Sequence, residues 1–179
     1  MFSVLSFKRP TLASSFLQNV IYCDIKWLSL TEQIITWKEF LLLTSSKGVK
    51  YCDFDMIEIK DDKNEAVLFE KILEQLPSLK WFDVLFKDGD SSITSNTVTN
   101  ILKLPTFNYL EKFYVRNIPE TFDLESFEIF LQNHKNACFV LDLVRPKNYT
   151  TFKKLYVTAR KIKQRSSQTI HVSIFDYQN

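Results

Sequence analysis

Strand-forming runs return along this chain at intervals of about thirty residues, and no other feature constrains its fold as strongly. The word Tyr22-Cys23-Asp24 comes back one interval later as Tyr51-Cys52-Asp53. Both copies sit in runs rich in β-branched and aromatic residues, 20–30 (VIYCDIKWLSL) and 49–59 (VKYCDFDMIEI). The series continues over 79–86 (LKWFDVLF), 110–118 (LEKFYVRNI), 137–144 (ACFVLDLV) and 169–175 (TIHVSIF). Amphipathic helical patterns fill the gaps, over 31–43, 65–76, 95–104, 123–132 and 149–163. Thr31 and Asp123 stand where caps belong, and Pro77 and Pro105 where helices stop. Turn chemistry separates the elements at Lys47-Gly48, at 61–64 and at Asp88-Gly89-Asp90.

A strand followed by a helix, repeated, predicts parallel strands joined by crossovers. The expected fold is therefore α/β, a leucine-rich-repeat-like solenoid of about six strand–helix units with a parallel sheet. It would occupy residues 20–179, with 1–19 as an atypical N-terminal cap. The alternative is a single compact α/β domain with a mixed sheet.

Strand alternation then sorts the side chains. Ile21, Cys23 and Ile25, like Cys52, Phe54 and Met56, would turn toward the helices. Tyr22, Asp24 and Lys26, like Tyr51, Asp53 and Asp55, would share the opposite face. Trp81 and Asp83 join that face one unit on. Tyr22, Tyr51 and Trp81 are the expected anchors for a protein partner, because aromatics dominate interface hot spots. Asp24, Asp53 and Asp83 would form a carboxylate row beside them. Like charges on adjacent strands repel, so Lys26, Lys50 and Lys80 are the expected relief.

Composition removes several classes of function. Two glycines in 179 residues leave no material for a Gly-rich phosphate loop of either common type. Cys23, Cys52 and Cys138 lack CxxC spacing, which argues against a zinc site and a disulfide framework. The protein is expected to be intracellular, cytoplasmic or nuclear, with reduced thiols and no membrane segment. Cys23 and Cys52 hold equivalent places in the repeated word, which fits either two buried small side chains or a redox pair. His134 and His171 fall in different units, and no nucleophile-elbow sequence accompanies them. No catalytic residue, cofactor or metal is expected.

Charge is uneven. Eight of the 23 basic residues, and none of the 21 acidic ones, fall within 145–165, so the remainder of the chain is net acidic. Lys153, Lys154, Arg160 and Lys161 lie there beside Tyr149, Phe152 and Tyr156. Basic and aromatic residues together can hold RNA, which is the alternative to protein binding.

The stretch from Leu73 to about Lys163 resembles the FTH-type domains that follow F-boxes in many nematode F-box proteins. The residues that carry the likeness are LEQLPSLKWFDVLF, then LEKFYVRNI, then FEIFLQNHKNACFVLDL with its trio Lys135-Asn136-Ala137. The resemblance implies recognition of a substrate or partner beside a ubiquitin-ligase adaptor. The F-box itself has no counterpart at the start of the chain, where Pro10-Thr11-Leu12 replaces the leucine/proline-led helix of that family. Direct adaptor docking is therefore not expected.

Overall fold

The computed structural model describes residues 4–8, 12–18, 20–105, 107–165 and 170–175. Pro10, Thr11 and Thr169 lie outside the described residues, as do the side chains of Arg165 and Phe175.

The protein is α/β, built on a seven-stranded sheet whose strands stand in chain order. They are β1 (Val4–Phe7), β2 (Trp27–Thr31), β4 (Tyr51–Asp55), β6 (Trp81–Leu85), β7 (Lys112–Ile118), β8 (Cys138–Val144) and β9 (Ile170–Phe175). Every pairing within this sheet is parallel, so it is not mixed. Helices α1 (Leu12–Leu17), α2 (Trp37–Leu43), α3 (Phe69–Glu74), α4 (Thr97–Ile101), α5 (Leu124–Asn133) and α6 (Tyr149–Arg165) supply the connections. A second, two-stranded parallel sheet pairs β3 (Ile34–Thr36) with β5 (Glu58–Lys60).

The segment expected as an atypical N-terminal cap carries the first strand and helix, and buries Leu5, Phe7, Ala13 and Leu17. Helix α2 starts six residues later than Thr31 because Thr36, not Thr31, closes a capping box with Glu39. The Thr36 hydroxyl accepts from the Glu39 amide at 3.2 Å, and the Glu39 carboxylate accepts from the Thr36 amide at 2.7 Å. Asp123 caps α5 as expected, accepting from the Ser126 amide. Gly89 takes a φ of 71° in the Asp88-Gly89 turn, a conformation that favours glycine.

One face of the sheet meets the helices in a single buried cluster. Phenylalanine fills it in register. Phe82, Phe113 and Phe139 are mutual strand partners and fully buried. Their rings lie 5.4 and 6.0 Å apart between centroids, and Phe54 joins the row 5.9 Å from Phe82. Helix rings complete it, with Phe69 at 5.8 Å from Phe82 and Phe130 at 5.4 Å from Phe113. Among the described residues no helix layer covers the opposite face, and its residues on β4 and β6 are half-buried in strict alternation.

Candidate functional site: the open face of the sheet

The open face is phased differently from the repeated word. The carbonyl of Lys26 accepts from the amides of Lys50 and Tyr51, that of Lys50 from Lys80 and Trp81, and that of Lys80 from Glu111 and Lys112. The equivalent words are thus Lys26-Trp27-Leu28-Ser29-Leu30, Lys50-Tyr51-Cys52-Asp53-Phe54 and Lys80-Trp81-Phe82-Asp83-Val84. Trp27 takes the place expected of Tyr22, and Ser29 the place expected of Asp24. Tyr22 and Asp24 precede β2 and belong to no strand row; Tyr22 is 61% exposed. Tyr22-Cys23-Asp24 resembles Tyr51-Cys52-Asp53 in letters only, because backbone pairing starts at Trp27.

Tyr51, Trp81, Asp53 and Asp83 do meet on the face. The Trp27 ring reaches 5.4 Å from Tyr51 and 5.9 Å from Trp81, although β2 and β6 are not neighbours. The Lys112 ammonium lies over the Trp81 ring, 4.9 Å from its centre. This aromatic row borders a carboxylate field. Asp53 and Asp83 are direct register partners, and the Ser29 hydroxyl donates to Asp53 at 3.4 Å. Lys26 relieves Asp24 as expected, but Lys80 pairs with Glu111 and not with Asp83. Arg116 does the work instead, and its guanidinium donates twice to one Asp83 oxygen, at 2.7 and 3.2 Å. Burial, reinforced by the Asp83 charge, pushes the Asp53 carboxyl up from its ordinary range. Burial also raises Asp142 on β8, against the pull of Ser173 and Arg116. The sequence carried a signal for the missed cation, because Lys112, Tyr114 and Arg116 alternate on β7.

The remaining expected sites fall apart in space. Cys23 precedes β2 and Leu28, not Cys23, partners Cys52, so the two thiols are not ladder neighbours. Both are free and buried; burial raises each, most strongly Cys52 with Asp53 beside it. Trp37 stacks on Phe40 against the core. Met56, expected inside, is exposed beyond the end of β4. Among the described residues no group of three or more His, Cys, Asp or Glu is placed to hold a metal ion. No described helix is long and apolar enough to cross a membrane.

His171 is exposed on β9, whereas His134 is buried after α5. The His134 Nδ1 lies 2.8 Å from the Phe130 carbonyl, and its ring sits 4.2 Å from the Phe130 ring. Burial holds its imidazole below the ordinary value. The unfolded chain, with an ordinary histidine near pH 6.5, therefore takes up a proton at a pH where the fold does not. Stability is expected to be full above that pH and to fall as pH drops from about 6.5 toward the folded value. Urea midpoints measured down this range should slope, and His134→Gln should flatten the slope. A slope unchanged in His134→Gln would place its source elsewhere.

On α6, Ala159 and Ile162 face inward while Lys153, Lys154, Arg160 and Lys161 are exposed. The Arg145 guanidinium lies over Phe152 at 4.9 Å. Clefts of about 600 and about 970 Å³ open at the carboxyl ends of the strands, the first edged by the Lys87–Glu58 ion pair. Open α/β sheets bind ligands where the strand order reverses, and a sheet in chain order has no such point.

Comparison of the chain with family models, with curated proteins and with solved structures finds no match in any of the three.

Proposed function

We propose that this protein is a non-enzymatic recognition module, a curved leucine-rich-repeat-like solenoid that docks a protein partner on its open sheet face. The observation that carries this is the Trp27–Tyr51–Trp81 row, three large rings on three successive strands, left uncovered by any described helix. Rings held by their neighbours lose little entropy on binding, which is why such residues anchor interfaces. The resemblance to FTH-type domains supports the same role, recognition of a partner beside a ubiquitin-ligase adaptor.

Partners captured by the intact chain and identified by mass spectrometry test the face. Alanine at Trp27, Tyr51 and Trp81 together should weaken their binding by at least about thirtyfold, the level of a hot-spot residue. Binding that survives these changes but is lost on charge reversal at Lys153, Lys154, Arg160 and Lys161 would move the function to α6 and to an anionic partner such as RNA. Adaptor subunits among the captured partners would extend the FTH-type resemblance to the assembly.

A further inference from the structure

Among the described residues, the open-face carboxylates Asp53, Asp55, Asp83 and Asp142 outnumber the cations of that face on β7, Lys112 and Arg116. They lie on β4, β6 and β8; Arg116 on β7 bonds Asp83 and offsets the charges of Asp53 and Asp142, and the Lys112 ammonium sits over Trp81. Two Arg116 donors converge on a single Asp83 oxygen. Asp53 receives one long hydroxyl bond from Ser29. The Oδ1 of Asp55 is shielded from solvent and has no hydrogen-bond partner. A surplus of this kind opposes folding, since the like charges sit on adjacent strands. A residue pattern that opposes folding is a mark of function when a partner can discharge it.

The geometry also selects the kind of cation. The carboxylates are spread over several strands, and among the described residues no three of them are placed to hold one metal ion. The Trp81 ring already accepts the Lys112 ammonium, so the aromatic row receives cations. A guanidinium is planar, forks onto carboxylates and stacks on rings, which matches both halves of the face. Resting on the docking role of this face, we propose that its occupant is an extended, arginine-bearing segment of a partner protein. Its guanidinium groups would seat on Asp53 and Asp55, and its apolar parts on the Trp27–Tyr51–Trp81 row.

The test uses the intact chain and two fluorescein-labelled peptides of equal length, followed by anisotropy. One alternates arginine with serine, the other glutamate with serine. The arginine peptide should bind at least about tenfold more tightly than the glutamate peptide, and more weakly as salt rises. Asp53→Asn combined with Asp55→Asn should lower that affinity about tenfold or more. The thermal midpoint of Asp53→Asn alone should not fall, because the fold disfavours the Asp53 charge it removes. Equal binding of the two peptides, or an arginine affinity indifferent to the asparagine pair, overturns the proposal. So does self-association of the chain that charge reversal at Lys153 and Lys154 abolishes, which would assign the face to a second copy. Partners lost on ring substitution, without any arginine-peptide binding, would leave the docking face standing and sink only this chemistry.

Discussion

Phe82→Ala is expected to remove a fifth or more of the stability of this protein. Phe82 is fully buried at the middle of the sheet. Its ring touches Phe54 and Phe113 on the neighbouring strands and Phe69 on α3, at 5.9, 5.4 and 5.8 Å between centroids. Truncation at such a site loses the transfer free energy of the ring and leaves a cavity that rigid neighbours do not close. The cost is about 3–5 kcal/mol, against a typical domain stability of about 5–15 kcal/mol. Urea denaturation reads it as a drop in midpoint at unchanged slope. Tyr51→Ala, one position and one strand away but on the open face, should shift the midpoint far less. Equal shifts at the two positions would contradict the sidedness of the sheet on which the docking role depends.

That sidedness was legible in the sequence, because a half-buried strand advertises its two faces by alternation. Cys52 and Phe54 against Tyr51 and Asp53 are sorted by parity alone. Strand phase was not legible from the repeated word, since letters can recur out of step with backbone pairing. The Lys-aromatic pairs at 26–27, 50–51 and 80–81 mark the true phase, with shorter and longer intervals that a fixed period conceals. The start of α2 was written as the Thr36-to-Glu39 capping box, yet the apolar pattern upstream extends the helix on paper because Ile34 and Ile35 continue it. Those residues pair with β5 instead, a long-range choice no local pattern contains. Arg116 shows the same limit. Its parity was readable, but its bond to Asp83 depends on which strand lies beside β7.

The second large effect is expected at Asn117, where the repeat leaves a backbone signature. Register aligns Thr31, Asp55, Leu85 and Arg116 across four strands. The residue after three of these, Glu32, Met56 and Asn117, is left-handed, with φ of 52°, 51° and 60°. The chain turns there as β2 and β4 end, and within β7 the same position falls in a register shift between Val115 and Ile118. An ordinary L-residue pays about 1–2 kcal/mol for this conformation, and asparagine tolerates it best after glycine. Met56 bears the strain while exposed to solvent, but Asn117 is buried and also bridges the next loop. Its Nδ2 donates to the Phe86 carbonyl at 2.9 Å and to Asp88 at 2.8 Å. Asn117→Ala therefore adds strain and orphans two acceptors, and is expected to cost about 2–4 kcal/mol. Asn117→Gly restores the backbone freedom without the bonds and should recover roughly half of that loss. Met56→Gly, where only the backbone term operates, should be neutral or stabilising by up to about 1 kcal/mol. Chemical denaturation of the three variants separates the two causes. If alanine and glycine at Asn117 are equally damaging, the left-handed turn contributes nothing and the side-chain bridge carries the whole effect. If Met56→Gly destabilises, the position does not share the strain that the repeat assigns to it.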